Sequence, residues 1–346
     1  MRGLFSGARN TALTLAAVAL LALVVPPFVR WAFIDAVWKP DAAACRAAHG
    51  ACWGFIVEKH RFILFGTYPY EEHWRPALAS LLLVALWVFS LFRSHWKSWL
   101  AAVWMAGLAA IGLLMWGGIP GMPYVDNERW GGLILTLLLA TFGVAAAFPI
   151  AVLLALGRRS GLPAIQALCV AYIELVRGVP LISLLFMASV MVPLFLPAGV
   201  SIDKLVRAQL ALILFVAAYL AEVVRGGLQA VPRHQYEAAD ALGLNAFHKT
   251  TRIVLPQALR IAVPPIVNTV IGLFKDTSLV VVIGLFDLLH TIKVSLNEPA
   301  WAGFGVEAYL FAAFVYFAFC YSMSRYSRTL ELRRGDSPRP SSAPGS

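Results

Sequence analysis

The sequence predicts an all-α polytopic membrane protein of about eight transmembrane helices, and three observations carry that prediction. The first is composition: 60% of the 346 residues are hydrophobic, only 13% are charged, and the mean hydropathy is +0.76. A soluble domain is about 45–50% apolar and about 25% charged, so this chain has too little polar surface to cover a water-facing globule, which excludes a soluble enzyme. The second is length. A helix needs about 20 apolar residues to cross a hydrocarbon core of about 30 Å. Eight stretches meet that need, near residues 11–29, 77–92, 99–117, 132–156, 165–196, 205–224, 261–285 and 306–324. The third is charge placement. With the N-terminus inside, sixteen of the 28 Lys and Arg fall in inner segments and ten in outer ones, six of these in a single long loop that can be translocated despite its charge. Both termini are therefore expected to be cytoplasmic. The net charge of +10 reads as membrane orientation rather than a nucleic-acid footprint, which needs its basic residues gathered on one face.

The elements follow in order. Arg2 and Arg9 precede the first apolar run, which is longer than the roughly 7–15 residues of a signal-peptide core and is followed by more spans, so it reads as an uncleaved anchor. The outer loop 30–76 places Trp31, Trp38, Trp53 and Trp74 near where interfacial aromatics belong. It also holds Cys45 and Cys52, for which an oxidising compartment permits a disulfide; two free thiols in a mobile loop are the alternative. Cys169 and Cys320 lie in spans and read as packing residues. The short second span and the third complete an N-terminal extension, residues 1–129, in which no motif carries chemistry. Residues 130–330 hold five further spans. Pro180 and Pro193 interrupt the long fifth span and Pro264 and Pro265 the seventh, where proline is expected to break or bend the helix and supply joints on which bundles can rock. Residues 331–346 read as a disordered cytoplasmic tail, since GDSPRPSSAPGS cannot bury enough apolar surface to offset its chain entropy.

An unusually long inner loop, 225–260, joins the sixth and seventh spans. Pro232 can open a helix, Tyr236, Ala239 and Leu242 recur at a helical interval, and Gly243 suits the left-handed turn that ends it. A second short helix is expected from Asn245, as N-cap, to Val254, stopping before Pro256. Two short helices at a glycine joint make a rigid knob, and Ala238, Ala239 and Ala241 let another surface approach it closely.

The spacing Glu237-Ala238-Ala239, three residues, Gly243, nine residues, Ile253, one residue, Leu255-Pro256 resembles the EAA loop of permease subunits in ATP-binding-cassette (ABC) importers. Three further stretches resemble the polar amino-acid branch of that family, the histidine, glutamine and general L-amino-acid permeases: Tyr172-Ile-Glu174-Leu-Val-Arg177-Gly178-Val-Pro180, Ala221-Glu222-Val-Val-Arg225-Gly226 and Lys275-Asp276-Thr277-Ser278-Leu279. The resemblance spans about residues 130–330, and the three extra N-terminal spans are similar to those of some general L-amino-acid permeases of Gram-negative bacteria. It implies a five-helix type I importer core in the bacterial inner membrane, with the knob as the coupling helix that seats in a separate cytoplasmic ATPase. It further implies a second, related permease subunit and a periplasmic amino-acid-binding protein as partners. ATP and Mg would be held by the ATPase, with no cofactor on this chain. No G-x-x-x-x-G-K-[ST] occurs in the sequence, so the chain cannot cradle nucleotide phosphates in a P-loop.

A charged side chain at the bilayer centre costs about 2.5–3.5 kcal/mol on insertion scales, so such residues pair or line a polar pathway. Glu174 with Arg177 and Glu222 with Arg225 share the pattern E-x-x-R-G at the inner ends of the fifth and sixth spans. At i,i+3 each Glu can meet its own Arg, or the pairs can cross-link the two spans as a gate. Lys275-Asp276-Thr277-Ser278 lies deeper in the seventh span, where lipid offers such groups no partner. Two readings stay open there: complementary groups for a zwitterionic substrate, or charges paired with neighbouring spans beside hydroxyls bonded back to their own helix. The seven His are scattered without metal-ligand spacing, and no nucleophile motif supports an intramembrane enzyme. The rival function is an autonomous ion-coupled secondary transporter or channel for small polar solutes, which kinked helices with buried charges also suit.

Overall fold

The computed structural model describes residues 5–197 and 199–335. Among them, seven helices are long and apolar enough to cross a membrane: Ala8–Ile34, Tyr70–Ser90, Trp99–Trp116, Gly132–Gly157, Lys204–Gln229, Ala246–Ile283 and Gly305–Leu330. The pair Pro163–Gly178 and Leu181–Leu194, bent by 102°, is long and apolar enough only when its two pieces are taken together, which gives up to eight spans. By contacts the chain divides into two compact units. One takes the residues up to Ile63 together with Ile292–Ala313; the other takes Leu64–Thr291 and the residues from Phe314 onward.

In the first unit, helix α1 (Ala8–Val29) has no buried residue, so its apolar surface is left for lipid. The following loop is a folded lobe. Asp41 caps α2 (Ala42–Ala47) by accepting the Ala43 and Ala44 N–H groups, and a disulfide joins Cys45 to Cys52 just before α3 (Gly54–Phe65). Gly50 is obligatory, because a Cβ there would lie 1.9 Å from the Asp35 carbonyl oxygen. The lobe grips residues far along the chain: Arg46 donates to the carbonyls of Pro299 (2.8 Å) and Ala300 (3.0 Å), Lys59 pairs with Glu298, and Phe55 packs on Trp301. The Cys52 N–H donates to the buried Glu307 carboxylate at 2.9 Å.

In the second unit, α4 (Trp74–Ser90) and α5 (Trp99–Trp116) form a hairpin held at one end by Arg75, which is fully buried and donates to the carbonyls of Leu114 (2.6 Å) and Pro123 (2.9 Å). The second span therefore begins earlier than the apolar run at residue 77, since these carbonyls satisfy a charge that the hydropathy of the sequence places outside. Helices α6 (Gly132–Gly157), α10 (Lys204–Gln229) and α13 (Leu255–Asp276) make the centre. Leu135, Leu139, Leu212, Val216, Leu220 and Leu273 lie in its core. The backbones approach closely where Gly227 of α10 meets α13: a Cβ there would sit 2.5 Å from the Ala258 carbonyl oxygen.

Pro180 breaks its span as the sequence predicts, whereas Pro193, Pro256, Pro264 and Pro265 do not interrupt theirs. The fifth span is two pieces, α7 (Pro163–Gly178) and α8 (Leu181–Phe186) with its continuation to α9 (Val192–Leu194), bent by 102°. The break lies at Val179, held extended (φ −104°, ψ 133°) because Pro180 excludes the helical conformation from the residue before it. Pro264 and Pro265, by contrast, lie inside α13, which runs unbroken to Asp276. The second knob helix does not stop before Pro256. It starts as α12 (Ala246–His248), widens into a π-helical turn over Lys249–Val254 and continues into α13, the wide turn carrying the chain past a residue that has no N–H. The first knob helix is α11 (Arg233–Ala241). A two-residue strand, Phe286–Asp287, pairs with Gly131 and Gly132 before α14 (Leu288–Ser295). Helix α15 (Gly305–Gly335) continues into what reads as tail, and the rest of the tail, from residue 336, lies outside the described residues.

Candidate functional site

The knob is built from local chemistry. Pro232 lies extended as the N-cap of α11, and Gly243 at φ +69° ends it, with the Leu244 N–H closing onto the Ala239 carbonyl at 3.1 Å. Asn245 caps the next helix by accepting the His248 N–H at 2.9 Å. The Asp240–Lys249 pair at 2.6 Å ties the two helices together across the glycine joint. Of the motif residues, Glu237, Ala238, Gly243 and Pro256 are exposed, Ile253 and Leu255 are half-buried, and Ala239 is buried. Leu242 and Phe247 stand out at 78% and 70% exposure, the two large apolar side chains that the projection leaves exposed. The root of the knob is fixed by apolar packing among Ala155, Val224, Leu228, Val254 and Ala258, with Tyr236 and Leu255 against them.

Beside that root lies an ion cluster. Glu222 of α10 takes its own Arg225 at 2.7 Å, is also bonded by Arg158 at the end of α6, and lies 3.8 Å from Arg177 of α7. Glu174 pairs with Arg158 at 3.1 Å rather than with Arg177, whose guanidinium sits 5.5 Å over the Tyr219 ring. Two carboxylates thus share three guanidinium partners, and the two E-x-x-R-G patterns become one cross-linked network joining α6, α7 and α10. Arg158 is the member that sequence reasoning missed. Its signal was only the Arg158-Arg159 doublet after an apolar run, which also fits the ordinary excess of inner-side charge.

Lys275-Asp276-Thr277-Ser278 is separate from this cluster. Lys275 is exposed and Asp276 half-buried, and neither forms a salt bridge among the described residues. The Thr277 hydroxyl donates to the Phe274 carbonyl (2.8 Å) and the Ser278 hydroxyl to the Lys275 carbonyl (2.7 Å), so both bond back to their own helix, which tightens to 3-10 geometry at this point. Asp287, not singled out by sequence, is fully buried and caps α14 by accepting the Leu289 and His290 N–H groups, each at 3.0 Å. Burial pushes its carboxyl up to about 6, against the opposing pull of those backbone bonds. No group of three or more His, Cys, Asp or Glu able to hold a metal occurs among the described residues.

Residues 130–335 match the family described as binding-protein-dependent transport system inner membrane component. Relatives extend further along the chain. The inner membrane amino-acid ABC transporter permease protein YhdY of Escherichia coli K12 is 47% identical, over 96% of this chain and 91% of its own length. The glutamate/glutamine/aspartate/asparagine permease BztC of Rhodobacter capsulatus is 38% identical over 95% and 92%. The probable glutamine permease GlnP of Bacillus subtilis, 35% identical, matches 59% of this chain with 93% of its own. A crystal structure of an amino acid ABC transporter with histidines superposes with a TM-score of 0.53 at 30% identity, covering 58% of this chain and 92% of the other. The chain belongs to the family of inner-membrane components of binding-protein-dependent transport systems.

Proposed function

We propose that the chain is the permease subunit of an ABC importer that moves polar or general L-amino acids from periplasm to cytoplasm, with both termini cytoplasmic. A periplasmic binding protein delivers the amino acid, and a second, related permease subunit completes the pathway. ATP with Mg, bound on a separate ATPase, drives the switch between inward-open and outward-open states. The observation that carries this reading is the knob. A rigid two-helix projection bearing exposed Leu242 and Phe247, anchored at the inner ends of α6, α10 and α13, has the form of a surface made to be covered by another protein. The amino-acid substrate is supported by the permeases named above. At the knob's root, Glu174, Arg177, Glu222 and Arg225 act as a gate that holds α7 against α10. In the seventh span the substrate pathway is formed by Lys275, Asp276, Thr277 and Ser278; the two hydroxyls donate to their own helix and keep lone pairs that can accept from a substrate ammonium.

The test is purification of the chain from its host membrane. An ATPase subunit should accompany the wild type and be lost, at unchanged permease yield, from a Glu237→Arg, Phe247→Asp double variant. Uptake in proteoliposomes should then require ATP and an amino-acid-binding protein. Uptake by the purified chain alone, driven by an ion gradient, would overturn the reading in favour of a secondary transporter.

A further inference from the structure

Arg158 and Arg159 are neighbours in sequence, yet their side chains serve different elements. Arg158 reaches Glu174 of α7 at 3.1 Å and is bonded to Glu222 of α10. Arg159 donates to the Leu228 carbonyl in the last turn of α10 (3.2 Å) and to the Tyr236 hydroxyl (3.3 Å), with its guanidinium carbon 5.9 Å above the Tyr236 ring. Tyr236 belongs to α11, one residue before Glu237, and its hydroxyl donates to the same Leu228 carbonyl at 3.2 Å. The backbone between the two arginines is held by helix-end bonds, Arg158 N–H to Leu154 O at 2.9 Å and Arg159 N–H to Leu156 O at 3.0 Å.

We infer that the Arg158-Arg159 doublet is the joint that passes motion of α11 to the Glu174–Glu222 cluster. The inference rests on the reading of α11 as the helix an ATPase moves. When α11 shifts, Tyr236 shifts with it. Arg159 is pinned by an in-plane bond to Leu228 and a face contact to the ring, which a planar guanidinium can make together and an ammonium cannot. Keeping both contacts as Tyr236 moves pulls on residues 158–160, and Arg158 then changes its grip on two carboxylates that lie on different spans. Attachment of the knob does not depend on this contact, because the apolar cluster of Ala155, Val224, Leu228, Val254 and Ala258 holds the root. Arg158 and Arg159 are positioning residues, and their removal should uncouple the importer rather than dismantle it.

The experiment reconstitutes the complete importer and measures ATP hydrolysed per amino acid transported, together with the amount of assembled complex. Arg159→Ala should raise that ratio about 5-fold or more at equal recovery of complex. Arg159→Lys should rescue it only in part. Arg158→Lys should give the same phenotype, and the Arg158→Lys, Arg159→Ala double should be no worse than the worse single, since a joint removed twice has no further effect. If Arg159→Ala does not assemble, Tyr236→Phe decides: it removes only the bridging hydroxyl and should raise the ratio at least about 2-fold. A wild-type ratio in the assembled variants, or multiplying effects in the double, would overturn the joint alone. Wild-type uptake indifferent to ATP would sink the importer reading, and the joint with it.

Discussion

Asp287 is fully buried at the N-terminus of α14, with the Tyr316 hydroxyl 3.5 Å from its carboxylate and two backbone N–H groups bonded to it. With its folded value pushed up to about 6 and an unfolded value of about 3.9, the folded chain holds a proton that the unfolded chain releases between about pH 4 and 6. Its contribution to stability is therefore fully present below pH 4 and declines as pH rises through 6. Asp287→Asn keeps a side-chain oxygen for the cap and removes the charge. The melting-temperature difference, variant minus wild type in detergent, should become more positive from pH 4 to pH 7, and a difference flat in pH would refute this. Nothing in the sequence sets Asp287 apart from any other polar residue between two spans, because its burial depends on Gly131, Gly132 and Tyr316, which are distant in the chain. Glu222 with Arg225 was legible because an i,i+3 pair is fixed by the helix itself. The partners of Arg158 were not, since they come from two other helices.

At the scale of elements, helix existence was readable from apolar runs and the knob from Pro232, Gly243 and Asn245, each of which acts on its own backbone. What each proline does was less readable. Val179 is forced extended before Pro180, whereas Pro256, Pro264 and Pro265 are absorbed, the first after a widened turn. The choice depends on whether neighbours hold the helix together, which a proline's position does not state. Packing of α10 on α13 gives a sharper test. Gly227→Val would place a Cβ 2.5 Å from the Ala258 carbonyl oxygen, and that backbone atom cannot rotate away. It should destabilise the protein by about 1–3 kcal/mol, seen as a lower melting temperature. Gly226→Ala is the control, since a Cβ there meets nothing within 4 Å. Equal melting temperatures for the two variants would show that α10 and α13 do not meet at this residue.

For the whole molecule, the membrane class followed from composition alone, and span number followed from counting apolar runs. The folded lobe did not, because its stabilising contacts join residues 46–59 to 298–307 and no local pattern announces them. The Cys45–Cys52 disulfide belongs to that lobe. By loop-closure entropy, a bridge across so few residues should stabilise it by about 2–3 kcal/mol. Cys45→Ser, Cys52→Ser should lower the melting temperature of the purified protein, and mass analysis without reductant should recover residues 45 and 52 in one linked peptide. Free thiols at both positions would contradict this.

The lobe also has a calendar. Cys45 and Cys52 are 7 residues apart and can join soon after both emerge, but the carboxylate that accepts the Cys52 amide belongs to Glu307, which lies 255 residues later. At about 5–20 residues per second, roughly 10–50 s of synthesis separates the two. The lobe is begun long before Glu307 is made and finished only when Gly305–Leu330 arrives, so a chain truncated before residue 307 can form its cross-link in an oxidising compartment but not its closure.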